Sequence, residues 1–535
     1  MQSAADIIAA RLYQAGCRHA FGIPGGEVLA LMDSLDRAGL RITLTKHENC
    51  AGFMGEGVHH ADGAPAVLFA TIGPGLANAA NVIANAMQDR VPMIVLTGCA
   101  PAIERQTYTH QIFDHVKLCE PIAKAVFRVE PGTAGILIDK AVAIATEGRP
   151  GPVVLDVPID VQKEMRDIWL TPQRQDAVAM VPADSPTLTT ARHWFKEARK
   201  PVMIAGVDAI NQNAQDDVAA FCQAHSIPLI TTYKGKGILP EDDPLSLGAA
   251  GLSPKIDKLV LPFIKESDCI LLAGYDPIEM RVGWQDPWTP DDRVIDITSE
   301  VNHHYMHQSA LNIIGDISAT LNTIADGSSV TESWAGGRAE ALRADIVASK
   351  NLNENWGPSA ISDAIRSVTP RDTVVTMDSG AHRIVLSQVW DTYVPRGVLQ
   401  SSALCTMGSA VPLAIGRKLA EPDRPVIAFV GDAGLEMFLG ELATARDLKL
   451  GLPVVVFVDE QLALIELKQR GMQMPNLGVE FAGTDFPAVA RAMGGHGFAV
   501  RDREALQSAI KESFDRDTFT VIAAIIGRQA YDGRI

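Results

Sequence analysis

The sequence predicts an α/β protein of three domains, each with a mostly parallel sheet flanked by helices. The chain has 535 residues, which is too long for one core and suggests about three domains. Apolar runs alternate with helix-like stretches and mostly end in Gly or Asp, as in parallel strands that are buried on both faces. The runs are PAVLFATIG, VPMIVLTG, PVVLDVP, PVMIAGVD, CILLAGYD, TVVTMDSG, PVIAFVGD and PVVVFVDE.

Two polar stretches divide the chain. TPQRQDAVAMVPADSPTLTT and ADGSSVTESWAGGRAEA are typical of linkers, because turn-forming and polar residues dominate both. The predicted domains therefore cover residues 1–170, 188–328 and 355–535. The first and third domains are similar in size and both alternate strands with helices, so we expect two related α/β domains on either side of a middle one.

Charge and cysteine usage exclude several classes of protein. The net charge of −17 argues against nucleic acid or an anionic membrane as the main partner, because both attract basic surfaces. No apolar run reaches the roughly 18 residues of a membrane span. The N-terminus lacks the features of a signal peptide, and Ile7, Ile8 and Leu12 predict an amphipathic helix there. Seven scattered cysteines without a CxxC pair indicate a reducing, cytoplasmic location.

Two acidic strand ends indicate a metal site. VIAFVGDAG ends a predicted strand at Asp432, and LPVVVFVDE ends another at Asp459 and Glu460. Parallel sheets bind ligands at the carboxyl ends of their strands, and the N-terminus of the helix that follows a strand favours a phosphate. A carboxylate and a phosphate tolerate each other when Mg²⁺ lies between them. The simpler alternative is that Asp432 caps a helix and the later pair lies in an exposed loop.

The spacing of these strand ends resembles a known motif. GDA, followed by ELATA, LPV and VDE, is similar to the thiamine-diphosphate motif of the 2-oxo acid decarboxylase and acetolactate synthase superfamily. The resemblance implies thiamine diphosphate and Mg²⁺ as cofactors, with Asp432, Glu460 and the carbonyl of Leu462 as metal ligands. The family usually has Asn where Glu460 stands, and this departure leaves Asp459 open as an alternative ligand.

A glutamate in the first domain resembles the acid that activates the cofactor. In TLTKHENCAGFMGEGVHHADG, residues 42–44 are predicted as a strand end and 48–60 as a helix. The segment is similar to the HE-x-x-A segment of the family, which implies that Glu48 hydrogen-bonds the pyrimidine ring of the cofactor. The alternative is a helix N-terminal acid that the helix dipole stabilises.

Other segments resemble the surroundings of the cofactor. Gly73 and Pro74 belong to a segment similar to the T-x-GPG-x-x-N loop of the family, and Gln111 stands where acetolactate synthases carry an active-site Gln. Met407 is similar to the apolar wedge that bends thiamine. Further implied cofactor contacts in the third domain are Ser379, Gly380, His382, Gly431, Ala433, Gly434, Met437, Leu464 and Ile465.

A segment of the middle domain indicates which branch of the superfamily the sequence resembles. LLAGYDPIEMRVGW is similar to catabolic acetolactate synthases, which work without FAD, and no GxGxxG opens this domain. The resemblance implies decarboxylation of a 2-oxo acid such as pyruvate, with transfer of the acyl unit to a second carbonyl. It also implies a homo-oligomer, at minimum a dimer, with a tetramer as the expected assembly. Two alternatives stay open: a simple 2-oxo acid decarboxylase or 2-hydroxy acid lyase, and a non-catalytic binding or assembly protein.

Overall fold

A computed structural model describes residues 1–169, 178–281, 283–302, 304–327 and 333–535. It contains three six-stranded parallel sheets, each between layers of helices. All eight apolar runs predicted as strands form strands, and their residues are almost wholly buried. The predicted fold class is confirmed. The predicted domain limits at residues 170 and 328 lie outside the described residues.

The first sheet has the strand order β3-β2-β4-β5-β7-β6, and a short antiparallel pair, β1 and β8, lies apart from it. Helix α1 begins after Ser3, whose hydroxyl accepts from the Asp6 N–H in a capping box. Ile7, Ile8 and Leu12 face the core as predicted. The strands are β1 Gln2–Ser3, β2 His19–Gly22, β3 Arg41–Leu44, β4 Ala66–Ala70, β5 Met93–Cys99, β6 Ala125–Arg128, β7 Pro152–Pro158 and β8 Met165–Arg166. The helices are α1 Ala4–Gln14, α2 Leu29–Ala38, α3 Glu48–Asp62, α4 Pro74–Gln88, α5 His115–Cys119, α6 Ala134–Thr146 and α7 Ile159–Gln162.

The middle sheet has the order β11-β10-β9-β12-β13-β14. Trp334 stacks on Phe263 with ring centroids 3.9 Å apart, so a segment predicted as linker packs on this domain. The strands are β9 Pro201–Ala205, β10 Leu229–Thr231, β11 Ser246–Ala249, β12 Cys269–Ala273, β13 Val294–Thr298 and β14 Leu311–Ile314. The helices are α8 Pro186–Glu197, α9 Val207–Asn211, α10 Gln215–His225, α11 Pro254–Glu266, α12 Ile317–Ala325 and α13 Arg338–Ser349.

The third sheet has the order β16-β15-β17-β18-β20-β19. When the strands are numbered within each sheet, this order matches that of the first sheet, as expected for two related domains. The strands are β15 Val374–Met377, β16 Val398–Gln400, β17 Val426–Gly431, β18 Pro453–Val458, β19 His496–Val500 and β20 Thr520–Ile525. The helices are α14 Pro358–Arg366, α15 Ala381–Val389, α16 Ala410–Ala420, α17 Asp432–Met437, α18 Glu441–Asp447, α19 Ala463–Gly471, α20 Phe486–Ala492 and α21 Arg503–Phe514.

The first and third domains meet through equivalent helices. Helix α3 follows the second strand of the first sheet, α16 follows the second strand of the third sheet, and the two helices pack together in one shared apolar core. Gly57 and Gly416 allow the close approach of the two helices, since a methyl group on Gly57 would lie 2.8 Å from the backbone nitrogen of Arg417. Within the described part of the chain, no helix combines the length and apolar character that crossing a bilayer requires.

Candidate functional site

A cavity of about 190 Å³ opens at the carboxyl edge of the third sheet. It lies at the ends of β15, β17 and β18, beside the point where the strand order reverses, which is where parallel α/β sheets bind ligands. The residues that line it are Ser379, Gly380, Ala381, His382, Cys405, Met407, Gly431, Asp432, Ala433, Gly434, Phe457, Asp459, Gln461, Leu462, Ala463, Leu464, Ile465 and Tyr531. Eleven of these were predicted as cofactor contacts from the sequence.

Asp432 joins the two acidic strand ends. Its Oδ2 accepts from the backbone N–H groups of Asp459, at 3.0 Å, and Glu460, at 2.7 Å. Its Oδ1 accepts from the N–H of Ala433 at 2.8 Å. Burial raises the pKa of this carboxyl, and the three N–H donors oppose the rise. The carboxylate is therefore fixed in direction at the cavity wall.

The next two acids point in different directions. Asp459 is 6% exposed and lines the cavity, and burial together with the nearby Asp432 raises its pKa to about 8. Glu460 has a left-handed backbone with a φ of 56° and an exposed side chain. Its carboxyl carbon lies 3.0 Å from the position of a methyl group built on Gly483, and it does not line the cavity.

Leu462 and Met407 line the cavity, whereas Met437 does not. The Leu462 carbonyl already accepts from the N–H groups of Ile465 and Glu466, at 2.9 and 3.0 Å, as the start of α19. Met437 is 56% exposed on the surface of the domain.

Two residues that line the cavity each carry a buried polar atom without a partner among the described residues: His382 Nε2 and Gln461 Nε2. Both side chains are 5% exposed. Burial, and secondarily the charge of Arg383, lowers the pKa of His382 to about 3, so its ring is neutral and stacks 5.5 Å from Phe457. Leaving buried polar atoms unpaired is costly, which indicates a polar ligand at this wall. The first turns of α15 and α19 also face the cavity and suit an anionic group such as a diphosphate.

The sequence reasoning missed Asp378. This buried carboxylate accepts from the N–H groups of Gly408 and Ser409, both at 2.9 Å, and so fixes the turn that carries Met407. Burial raises its pKa to about 6 against these donors. A signal existed, because MDSG ends β15 with an acid and a glycine, as GDAG ends β17. Tyr531, also missed, enters the cavity from the C-terminal tail.

Glu48 lies in the first domain and does not line this cavity. It begins α3 after the cap residue His47, and its Oε2 accepts from Asn78 Nδ2 at 3.0 Å. The loop before it is bound to the third domain, since the N–H groups of Lys46 and His47 donate to Glu441 at 2.9 and 3.1 Å. The predicted strand end and helix around Glu48 are both present.

Gly73 and Gln111 lie together, as two parts of one predicted site. A methyl group on Gly73 would lie 3.3 Å from the Gln111 Cβ, and Gly73 has a φ of 63°. The Gly73 N–H donates to His115 Nε2 at 3.0 Å, and His115 Nδ1 donates to Asp156 at 2.9 Å. Pro74 begins α4. Like Glu48, this loop does not line the third-domain cavity.

Comparison with known proteins identifies the family. Three profiles match in order: the thiamine pyrophosphate enzyme N-terminal TPP binding domain over residues 2–118, the central domain over 188–324 and the C-terminal TPP binding domain over 378–524. The chain belongs to the thiamine pyrophosphate enzyme family. It is therefore a thiamine-diphosphate-dependent enzyme, and the resemblance to the acetolactate synthase and 2-oxo acid decarboxylase superfamily is confirmed.

Relatives from both branches of this superfamily span nearly the whole chain. A probable 2-ketoarginine decarboxylase from Pseudomonas aeruginosa is 30% identical over 94% of this chain and 90% of its own length. An acetolactate synthase from Bacillus subtilis is 28% identical over 97% and 92%. A catabolic acetolactate synthase from Raoultella terrigena is 27% identical over 97% and 94%.

Proposed function

We propose that this enzyme binds thiamine diphosphate and Mg²⁺ in the third-domain cavity, decarboxylates pyruvate or a similar 2-oxo acid, and transfers the acyl unit to an acceptor carbonyl, as acetolactate synthases do. The observation that carries the proposal is the pair of buried atoms His382 Nε2 and Gln461 Nε2, which have no partner among the residues that the structure describes and belong to residues that line the same cavity as Asp432. Bound thiamine diphosphate supplies the electron sink for the charge that remains when carbon dioxide leaves.

The carboxylates at the strand ends would hold the metal. Asp432 and Asp459 both line the cavity, and two carboxylates with phosphate oxygens are a usual Mg²⁺ ligand set. Glu460 remains the alternative predicted from the family, although its side chain is exposed. Titration of Asp459→Asn and Glu460→Gln with Mn²⁺ and thiamine diphosphate, followed by electron paramagnetic resonance, tests the choice. Loss of ordered Mn²⁺ only in Glu460→Gln would refute ligation by Asp459.

A second copy of the chain would complete the site. Glu48 does not line the cavity of its own chain, and apolar side chains are exposed on both the first and the third domain. These are Ile103, Tyr108 and Phe113 in the first domain and Ile465, Met472 and Leu477 in the third. We therefore propose at minimum a homodimer, with a tetramer as the expected assembly, in which Glu48 of one subunit acts at the cavity of another.

Mixing two inactive variants tests this arrangement. If Glu48 acts across the interface, neither the Glu48→Gln homodimer nor the Asp432→Ala homodimer contains an intact site. After subunit exchange in an equal mixture, half of the dimers are mixed and carry one intact site, so about one quarter of wild-type activity returns. If the two residues act within one chain, no activity returns. Light scattering on the wild type gives the assembly state independently.

The acceptor carbonyl decides between the two candidate activities. The acetolactate synthase relatives favour transfer to a second 2-oxo acid, and the probable 2-ketoarginine decarboxylase favours release of the aldehyde. Purified protein supplied with thiamine diphosphate, Mg²⁺ and a panel of 2-oxo acids is assayed for acetolactate and for aldehyde. Aldehyde alone would refute transfer. Calorimetry that detects no thiamine diphosphate binding would refute both.

We also propose that the enzyme works without FAD. At the switch point of the middle sheet, the loops after β9 and β12 touch, since a methyl group on Gly206 would lie 2.8 Å from the Tyr275 Cα. Arg149 pairs with the buried Asp208 at 2.9 Å in the same crevice. These contacts occupy the position at which such sheets bind dinucleotides. A flavin absorption spectrum in the purified protein would contradict the proposal.

A cytoplasmic location is part of the same proposal. All seven cysteines lie in the described part of the chain, and none forms a disulfide. Unpaired thiols are typical of reducing compartments.

A further inference from the structure

Cys405 lies on the wall of the cavity, next to the turn that carries Met407. Its sulfur is held on two sides. Arg383 Nη2 donates to Sγ at 3.1 Å, and the thiol donates to the Ser402 carbonyl at 3.2 Å. A guanidinium ion at hydrogen-bond distance is an unusual neighbour for a structural thiol, because structural cysteines sit among apolar side chains.

The backbone around Cys405 holds the thiol in this direction. Cys405 has a φ of 56°, a left-handed conformation that residues other than glycine seldom adopt. The loop is fixed from the first domain, because Asp89 accepts from the N–H groups of Ser402 and Ala403 at 3.1 and 3.0 Å. The Thr406 N–H donates to the Ser401 hydroxyl at 2.9 Å. The loop therefore cannot easily turn the side chain away from the cavity.

Two other residues of the same cavity suit a polar ligand. His382 Nε2 and Gln461 Nε2 belong to residues that line this cavity, and both atoms are deeply buried and without a partner among the residues that the structure describes. A group attached to the Cys405 sulfur would enter the space that such a ligand occupies. Modification of the thiol and binding of the ligand are therefore expected to exclude each other.

The other six cysteines are buried, and only Cys405 is partly exposed. Burial raises the pKa of Cys17, Cys119 and Cys269 to about 12, and it raises the pKa of the other three buried thiols as well. Thiol reagents react with the thiolate, so these six are protected both by access and by protonation. A thiol reagent is therefore expected to react with Cys405 in preference to the six buried cysteines.

We propose that Cys405 is a thiol-modification site at which a small disulfide or similar electrophile attaches and prevents cofactor binding. The proposal rests on the cofactor role of the cavity. The sulfur attacks a disulfide RS–SR, a new bond forms between Sγ and one RS group, and the other leaves as RS⁻ and takes a proton. The Cys405 thiol is oxidised, the reagent is reduced, and excess dithiothreitol reverses the exchange. Bound cofactor protects the thiol.

The first experiment locates the reactive thiol without reference to activity. The protein without cofactor is treated with dithiobis(nitrobenzoate), and the labelled peptides are identified by mass spectrometry. Cys405 is expected to react at least about tenfold faster than any other cysteine. Thiamine diphosphate with Mg²⁺ is expected to slow that reaction by a similar factor. Equal labelling of several cysteines, or no protection by a cofactor that calorimetry shows to bind, overturns the proposal.

The second experiment measures the effect on the cofactor. Wild type is labelled with methyl methanethiosulfonate, which adds only a methylthio group, or with the bulkier nitrobenzoate reagent, and the Kd for thiamine diphosphate is measured by calorimetry. The bulkier label is expected to raise Kd at least about tenfold and the small one less. Cys405→Ser and Cys405→Gly, each compared with its own untreated form, are expected to show no change on treatment.

The outcomes separate this inference from the proposed function. If untreated wild type binds no thiamine diphosphate, the proposed cofactor cavity fails. If it binds, and full labelling of Cys405 leaves Kd unchanged, the cavity stands and the modification site is refuted. A Kd increase in labelled Cys405→Ser equal to that of the wild type also refutes it.

Discussion

Gly434→Ala tests how the cavity wall is held together. A methyl group at Gly434 would overlap Oδ2 of Asp378 and lie 3.2 Å from its carboxyl carbon. To clear it, the buried carboxylate must leave the N–H groups of Gly408 and Ser409, each now 2.9 Å away. A hydrogen bond to a charged group contributes about 1.5–3 kcal/mol, so losing both costs about 3–6 kcal/mol. Thiamine diphosphate affinity should fall as well, since the Met407 turn shifts.

Urea unfolding and calorimetry measure the two effects, with Gly471→Ala as the matched control. No atom of the described residues lies within 4 Å of a methyl group on Gly471, so that variant should stay within about 0.5 kcal/mol of wild type. The cost of Gly434→Ala should also shrink to below about 1 kcal/mol in an Asp378→Ala background, because the clashing group is gone. Equal unfolding midpoints for Gly434→Ala and Gly471→Ala would refute the reasoning.

Three further predictions concern other buried acids and bases. Glu48→Gln should lower turnover at least about 10²-fold while calorimetry finds cofactor binding retained, and the exposed Glu104→Gln should not. Burial raises the pKa of Glu56 from 4.5 to about 7, so the free energy of unfolding should fall by about 3 kcal/mol as pH rises from 4.5 to 7. Glu56→Gln should flatten the pH dependence of the urea midpoint in that range. Arg149→Ala should lower the free energy of unfolding by about 3–5 kcal/mol, because it removes the ion-pair partner of the buried Asp208 carboxylate. Arg338→Ala removes only a surface ion pair with Glu266 and should lower it by less than about 1 kcal/mol in the same urea unfolding assay.

The fold could be predicted because burial leaves a strong trace in sequence. Strands covered on both faces need continuous apolar residues, and the turns at their ends need Gly or Asp. The limits of the linkers were harder to see. Trp334 lies in a polar stretch, yet its ring packs on Phe263 and its indole N–H donates to the Pro201 carbonyl at 2.7 Å. Nothing local in the sequence marks one buried ring among polar neighbours.

The site could be predicted where function and strand end coincide, as at Asp432. It could not where the backbone decides direction. The left-handed φ of Glu460 turns its side chain outward, whereas Asp459 lies on the cavity wall. A sequence motif does not specify this backbone angle. Tyr531 was out of reach for another reason. It arrives from the C-terminal tail, far along the chain from every motif, and only the tertiary fold brings it to the cavity.

The packing of α3 on α16 has a consequence for the behaviour of the protein on dilution. Two domains with the same strand order meet through corresponding helices, an arrangement with the geometry of a two-fold dimer, but within one chain. Because a covalent tether fixes the local concentration of one half around the other, this contact persists when the protein concentration falls far below the dissociation constant of any subunit contact. Diluted chains should therefore separate from each other while each keeps its two outer domains joined.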